Sequence, residues 1–357
     1  MRIGVPREIK TLEGRVGLVP EAAAELVKHG HTVYLQSTAG ELSGFSDEEY
    51  RQAGVEVLPD AKTLYAQSEM IVKVKEPQAA EVPLLRQDHI LFSYLHLAAA
   101  QDLLQSLLTI GLTAVAWETV ETDAGLLPLL APMSDVAGRI AVQVGAHLLH
   151  QPQGGRGLLL GGLPAAERGN VVVLGAGVVG GAATAVAAAM GANVTVFDRN
   201  RDKLARMRSV GDNVTALYPY NHAISKAVNN ADLLVGAVLV TGARTPHLVS
   251  AQMVKNMQAG SVIVDVSVDQ GGCVETIRPT TYDNPTYVWE GVVHFGVTNM
   301  PGAVPRSASQ ALSAALIPYV LRLAQPDWQD NRDLVHGINV QQGKIVHPAL
   351  KNLEKSL

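Results

Sequence analysis

The segment from Asn170 to Asp198 constrains this chain more than any other. It runs Asn170-Val-Val-Val-Leu-Gly-Ala-Gly-Val-Val-Gly-Gly, passes through an alanine-rich stretch and closes on Val194-Thr-Val-Phe-Asp198. An apolar β-branched run, a glycine turn, a helix and a second strand tipped by an acid follow in that order. Glycine clusters alone are weak signals, because many loops carry them. Here Gly175, Gly177 and Gly180 follow a strand and open a helix, the context in which such a pattern binds a dinucleotide. Gly175 is expected to allow the tight turn, Gly177 to let backbone approach a pyrophosphate, and Gly180 to let the helix pack close on the sheet. The first N–H groups of the helix and its positive dipole end would meet the phosphates. Asp198 stands where it would accept hydrogen bonds from both ribose hydroxyls and repel a 2′-phosphate. That favours NAD(H) over NADP(H), with Arg199 beside the acid working against the discrimination.

Val171 to Phe197 holds no charged residue, so a hydropathy window reads it as a membrane span. Its glycines and alanines, with β-branched runs at both ends, break it into strand, turn, helix and strand instead. A chain of 357 residues has room for two domains with substantial cores, and 47% hydrophobic residues with 33 glycines fit an α/β enzyme. The net charge of −5 offers no footprint for nucleic acid, and no basic run suggests a membrane surface. One cysteine, Cys273, cannot form an internal disulfide, which points to a reducing cytosol. Neither it nor any His/Asp/Glu grouping has metal-ligand spacing, so no metal is expected. The opening Met1-Arg-Ile-Gly-Val-Pro-Arg-Glu carries charge where a signal peptide needs an apolar core, in keeping with a cytoplasmic location.

Short β-branched runs alternate with amphipathic segments from the N-terminus. Ile3 to Val5, Thr32 to Leu35, Val55 to Leu58, Ile71 to Val74, Ile90 to Tyr94 and Thr113 to Ala116 read as strands. Glu21 to His29 and Ala98 to Thr109 read as helices, and Ser46 with Glu49 has capping-box spacing for a helix around Asp47 to Ala53. Pro128 to Pro132 interrupts, and a long helix is predicted from about Met133 to His150. Six more strands follow: Val171 to Leu174, Val194 to Asp198, Thr215 to Leu217, Leu233 to Val235, Val262 to Val266 and Val292 to Phe295. Six is the complement of a complete dinucleotide-binding sheet. A helix from Ser309 to Ala324 is expected to cross back onto the first domain, and the tail to Leu357 reads as short and polar. The expected architecture is α/β: two Rossmann-like doubly wound parallel-sheet domains with a cleft between them. Residues 1–129 and 306–357 would form a discontinuous substrate domain, and residues 130–305 the NAD-binding domain.

With the dinucleotide in the second domain, substrate groups are sought just after the strands of the first. Arg15, in Glu13-Gly-Arg-Val-Gly-Leu-Val-Pro, suits bidentate capture of a carboxylate, or is a solvated loop arginine. Lys73 and Lys75, in Met70-Ile-Val-Lys-Val-Lys-Glu-Pro, fall on one side of a strand. Lys75 at its tip could polarise a carbonyl, or be a surface lysine. His96 closes Leu91-Phe-Ser-Tyr-Leu-His and is either a proton shuttle or a satisfied core histidine. Asp269, in Val264-Asp-Val-Ser-Val-Asp-Gln-Gly-Gly, falls near a nicotinamide ring, with Asp265 as its rival or the buried acid of the strand. Asn299 follows the sixth strand, where a carboxamide or the reacting centre would meet it. Glu118 ends a strand and is open between structural acid and ion ligand.

Together these segments resemble the alanine dehydrogenase family from Met1 through about Ala324. The matching pieces are Gly4-Val-Pro-Arg-Glu-Ile-Lys, Arg15-Val-Gly-Leu, Val72-Lys-Val-Lys-Glu-Pro, Tyr94-Leu-His-Leu-Ala and Pro132-Met-Ser. They continue with Gly154-Gly-Arg-Gly, Gly236-Ala-Val-Leu-Val, Val268-Asp-Gln-Gly-Gly-Cys-Val-Glu-Thr and Asn299-Met-Pro-Gly-Ala-Val-Pro. The run is highly specific because the pieces come in order and at family spacing. The resemblance implies that Arg15 and Lys75 bind the substrate carboxylate and its carbonyl or amine. It makes His96 the general acid/base and Asp269 the second catalytic group. Contacts to NAD are implied for Ser134, Val178, Val179, Asp198, Arg199, Lys203, Val238 and Leu239. Val266, Ser267, Val268, Asp269, Arg278, Val297, Thr298, Asn299 and Met300 complete that set beside the three glycines.

The implied activity is reversible oxidative deamination of L-alanine to pyruvate and ammonia, with a homohexamer as the assembly. Hydride would pass from the alanine Cα to nicotinamide C4, water would attack the resulting imine, and the carbinolamine would collapse. The competing expectations are an NAD-binding subunit like that of a transhydrogenase and a non-catalytic NAD(H) sensor. Two features depart from the family pattern. Tyr218-Pro-Tyr-Asn stands where a serine near the adenosine is usual, so no contact is assigned there, and Arg199 follows Asp198. The tail beyond Gln325 resembles nothing informative.

Overall fold

The apolar runs form two sheets in a computed structural model that describes residues 1–238 and 245–351. The chain divides into two units, one of Met1–Met133 with Gly302–Leu357 and the other of Ser134–Pro301. The first begins with β1 (Arg2–Val5), α1 (Pro20–Lys28), β2 (Thr32–Gln36), α2 (Asp47–Gln52), β3 (Glu56–Leu58) and α3 (Ala61–Gln67). It continues with β4 (Met70–Val72), β5 (Ile90–Ser93), α4 (Gln101–Ile110) and β6 (Thr113–Ala116), and α5 (Ala131–Leu148) leads out of it. The second unit runs β7 (Asn170–Leu174), α6 (Val178–Ala189), β8 (Asn193–Phe197), α7 (Arg201–Arg208), β9 (Val214–Leu217) and α8 (Asn221–Asn229). Then come β10 (Leu233–Gly236), α9 (Ala251–Lys255), β11 (Val262–Asp265), β12 (Thr286–Trp289) and β13 (Val292–Phe295). The chain returns to the first unit as α10 (Pro305–Leu323), α11 (Arg332–His336), β14 (Ile338–Gln341) and β15 (Lys344–Ile345).

The first sheet has eight strands in the order β15-β14-β6-β5-β4-β1-β2-β3, and the second has seven, β12-β13-β11-β10-β7-β8-β9. Strands β1 to β6 pair in parallel, as do β7 to β11 with β13. In each sheet the strand order reverses beside its first strand, between β4 and β1 and between β10 and β7. Such a reversal opens a crevice past the strand carboxyl ends. Local chemistry agrees with the elements: α1 has Pro20 at its first position, and α2 carries the capping box expected of Ser46 and Glu49. The central strands β4, β10 and β11 are buried along their whole length, the signature of a parallel sheet covered on both faces.

Two features differ from the sequence expectation. Strand β12 adds an antiparallel edge beyond the six strands expected of the second sheet. The tail that reads as polar supplies β14 and β15, with β14 antiparallel to β6. Val340, Ile345 and Leu350 from this tail are buried in the same core cluster as Leu91, Leu104 and Leu107. Among the described residues, no helix is long and apolar enough to cross a membrane.

Candidate active site

In the first unit the residues singled out from the sequence gather past the carboxyl ends of three neighbouring strands. Arg15 follows β1, Lys75 follows β4 and His96 follows β5, and these strands are adjacent in the order β5-β4-β1. Arg15 is 2% exposed rather than solvated. Its Nε donates to Glu13 Oε1 at 2.7 Å and its Nη2 to Glu13 Oε2 at 2.6 Å, while its backbone N–H also reaches Oε1. A bidentate carboxylate pair is therefore already built into the protein. A substrate carboxylate has to meet the guanidinium away from its Nε edge. Burial alone would raise the Glu13 carboxyl, but the hydrogen bonds and charge of Arg15 outweigh it and hold the group below the usual range.

Strand β4 ends at Val72, so the two lysines follow it rather than lie within it. They part company completely. Lys73 is fully buried, and its Nζ donates to Glu8 Oε2 at 3.1 Å and to the Lys75 carbonyl at 3.0 Å, with Glu81 Oε2 3.3 Å away. An ammonium has three N–H groups, and these partners use all three. Lys75 is half-buried, and burial, then the nearby Arg15 charge, lowers its pKa from the ordinary lysine value. Lys75 is the ammonium suited to a ligand.

His96 is exposed, not a core histidine, and its φ of 48° places a non-glycine residue in the left-handed region. Glu118 fixes that turn by accepting the backbone N–H groups of Leu95 and His96, the latter at 2.6 Å. A strained backbone held this way is a mark of functional positions. The imidazole stacks on Tyr94 at 5.9 Å between centroids, and Tyr94 is anchored by its hydroxyl to the Leu129 carbonyl. Glu118 is thus a backbone cap. Among the described residues, no group of three or more His, Cys, Asp or Glu could hold a metal ion.

In the second unit the three fingerprint glycines separate into distinct tasks. Gly175 has φ 100°, and a side chain there would also meet the Ala237 carbonyl across the β7/β10 reversal. At Gly180 a Cβ would lie 1.7 Å from the Gly175 carbonyl oxygen, so nothing larger than glycine lets α6 pack against the turn. At Gly177 a Cβ would find no atom within 4 Å. Its lack of a side chain serves no contact inside the protein and leaves an open cradle at the start of α6. No side chain caps that helix N-terminus, and Val178 in its first turn is 49% exposed. Val179 follows half-buried.

Asp198, past β8, accepts the Ala176 N–H at 2.7 Å and the Asn200 N–H at 2.8 Å, which orients its carboxylate beside the glycine turn. Arg199 is exposed, and Lys203 is half-buried in the first turn of α7. Val238 follows β10, Val266 to Asp269 follow β11, and Val297 to Met300 follow β13, so most of the cofactor set lies past carboxyl ends of one sheet. Leu239 lies outside the described residues. Asp269 is exposed in a 3-10 turn begun by Val268, whereas Asp265 is buried and accepts the N–H groups of Ser267, Cys273 and Val274. Asp265 is the structural acid of the pair. Asn299 has φ 57°, and Thr298 before it is half-buried. Arg278 is exposed, its guanidinium 4.2 Å from the centre of the Tyr287 ring of β12. Ser134 is half-buried near the start of α5.

Sequence reasoning gave no role to Glu8, Glu13 or Tyr94. The only signals were an acid two positions before Arg15 and an aromatic two before His96.

A family model described as alanine dehydrogenase/PNT, C-terminal domain, matches residues 141–348, and its N-terminal counterpart matches residues 4–137. The alanine dehydrogenase of Halomonas elongata is 47% identical over 98% of this chain and 96% of its own length. That of Bacillus subtilis is 46% identical over 98% of this chain and 94% of its own. A solved L-alanine dehydrogenase superposes with a TM-score of 0.97 at 51% identity, covering 100% of this chain and 99% of that one. A transhydrogenase from Sinorhizobium meliloti has a TM-score of 0.87 at 23% identity, covering 97% of this chain and 100% of that one, and shares the fold.

Proposed function

Because the chain belongs to the alanine dehydrogenase/PNT family, we propose that residues 1–129 and 306–357 hold the amino acid and residues 130–305 hold NAD. The reaction is that of an L-alanine dehydrogenase, the reversible oxidative deamination of L-alanine to pyruvate and ammonia. The observation that carries the assignment of residues is the gathering of Arg15, Lys75 and His96 past β1, β4 and β5, at a strand-order reversal.

The open cradle at Gly177, the uncapped start of α6 and the oriented Asp198 fit a pyrophosphate and a ribose. When bound, NAD supplies the hydride acceptor. Val238 and Leu239 past β10, Val266 to Asp269 past β11 and Val297 to Met300 past β13 are assigned to its flanks, with Ser134, Arg199, Lys203 and Arg278 completing the set. Arg15 holds the substrate carboxylate, an orientation effect of the kind that replaces a bimolecular encounter by a fixed geometry. Lys75 stabilises negative charge developing at the carbonyl oxygen in the aminating direction. The exposed His96 accepts and returns the proton of the attacking water, and Asp269 is the second group serving proton transfer. The protein is assigned to the cytosol, where a buried, unpaired Cys273 stays reduced, and to a homohexamer.

The test is NADH oxidation with pyruvate and ammonium together and with each omitted. Oxidation that needs both is expected. Tight NADH binding with no turnover under any combination would overturn the assignment in favour of a non-catalytic binding protein. Sedimentation of the purified protein checks the hexamer.

A further inference from the structure

Behind Lys75 lies an ionic cluster to which the reaction above gives no part. Glu8, Lys73 and Glu81 are respectively 8%, 0% and 3% exposed, two carboxylates around one ammonium. Burying two acids with a single cation is costly unless each oxygen finds donors. Glu8 meets donors only, as far as its hydrogen bonds run: Val74 N–H on Oε1, and Lys73 Nζ at 3.1 Å with Lys75 N–H at 3.4 Å on Oε2. Glu81 accepts from Tyr65 Oη at 3.1 Å and from Gln78 N–H at 2.8 Å, and lies 3.3 Å from Lys73 Nζ. Lys73 in turn donates to the Lys75 carbonyl at 3.0 Å.

The backbone of Lys75 is therefore gripped on both sides of its Cα. Its N–H faces Glu8, its C=O faces Lys73, and Glu81 braces Lys73 from behind. The pairing of β4 with β5 runs on past Val72, through Lys73 N–H to the Phe92 carbonyl and Tyr94 N–H to the Val74 carbonyl, both at 3.2 Å, and the grip at Lys75 takes over where that pairing stops. We propose that Glu8 and Lys73 are positioning residues that clamp the backbone at Lys75 and so aim its ammonium at the substrate. The clamp rests on the assignment of Lys75 to substrate binding made above.

The chemistry demands a carboxylate at position 8. An amide would present its NH₂ to the Lys73 ammonium and the Lys75 N–H, or to the Val74 N–H, donor against donor in either orientation. Glu8→Gln thus keeps the volume and breaks the clamp. It also leaves Lys73 and Glu81 as a balanced pair, so the fold has reason to survive. Glu81→Gln touches neither backbone group of residue 75 and serves as the comparison.

The full-length enzyme is assayed for NADH oxidation as pyruvate is varied at saturating ammonium, with NADH affinity and Tm measured in parallel. Glu8→Gln is expected to raise the pyruvate KM about tenfold or more, a loss near 1.4 kcal/mol in binding, with NADH affinity unchanged. Glu81→Gln is expected to raise it less. Lys75→Met is run beside them to separate two failures. If Lys75→Met loses pyruvate affinity while Glu8→Gln leaves KM and kcat at wild-type values, the clamp is wrong and the role of Lys75 stands. If Lys75→Met itself leaves pyruvate KM and kcat unchanged, the assignment beneath the clamp falls with it. A Glu8→Gln protein that melts early yet keeps the wild-type pyruvate KM in its folded fraction would show a structural role alone and overturn the clamp. Should Glu8→Gln fail to fold, Lys73→Arg keeps the charge but places its donors differently. A pyruvate KM shift without an NADH shift is then expected, and a wild-type KM would overturn the proposal.

Discussion

Lys73 and Lys75 stand two positions apart with the same side chain, and their surroundings give them opposite uses. Lys73 spends its three donors inside the protein, whereas Lys75 is left beside Arg15 with its ammonium partly destabilised. A lysine whose folded pKa is lowered keeps its charge only up to that lowered value. Pyruvate kcat/KM should therefore fall on the alkaline side below the ordinary lysine range, because the neutral amine no longer stabilises the carbonyl oxygen. Lys75→Arg, which stays charged, should lose that alkaline limb even if its overall rate is poor. A limb of unchanged position in Lys75→Arg would assign it to another group. At His96 the expected outcome is kinetic: His96→Ala should lower turnover by roughly 10²–10⁴-fold. NADH affinity should hold, since the imidazole is exposed and its turn is held by Glu118 through backbone groups. Loss of NADH binding together with turnover would mark His96 as a folding residue instead.

Among the elements, α6 shows how ligand and fold can be told apart within one motif. Gly177→Ala adds a methyl group at φ −73°, where alanine is unstrained, into space with no neighbour within 4 Å. Its Tm should stay at the wild-type value while NADH affinity drops by about tenfold or more, over 1.4 kcal/mol. Gly180→Ala drives a methyl into the Gly175 carbonyl and should cost about 1–3 kcal/mol of stability, read as a lower Tm without any ligand. Equal Tm losses in both variants would remove the reason for placing a pyrophosphate at Gly177. The same motif explains what the sequence disclosed. Strands buried on both faces write themselves as unbroken Val/Ile/Leu runs, so β7, β10 and β11 are plain on first reading. Strand β12 is half-exposed at an edge, with Val288 at 65%, and follows a turn through Asp283, Asn284 and Pro285, so its pattern is masked by loop signals. Arg15, Lys75 and His96 are visible because strand ends can be located along the chain. Glu8 is not: its partners Lys73 and Val74 are more than sixty positions away and meet it only because β1 and β4 are neighbours. Side-chain pairs that depend on strand order are invisible until the order is known.

At the scale of the molecule, the tail that reads as short and polar completes a sheet. Strand β14 covers the edge of β6, and Val340, Ile345 and Leu350 fill core beside α4. A chain ended after Gly337 would uncover that edge and vacate four buried apolar positions among the described residues, Ile338 with those three, each worth roughly 1.5–3 kcal/mol when fully buried. Such a truncation should lower Tm strongly and scatter light on warming, because an open parallel edge invites pairing with other chains. Unchanged melting would show that the tail is merely laid on the sheet. The same connectivity bears on birth as well as endurance. During synthesis the second sheet is fully translated before β14 exists, while the first waits with β6 uncovered for the last stretch of chain to emerge. The ribosome thus holds a first sheet two strands short of its eight through the making of an entire nucleotide-binding unit, and that interval is when a nascent chain of this design most needs a chaperone.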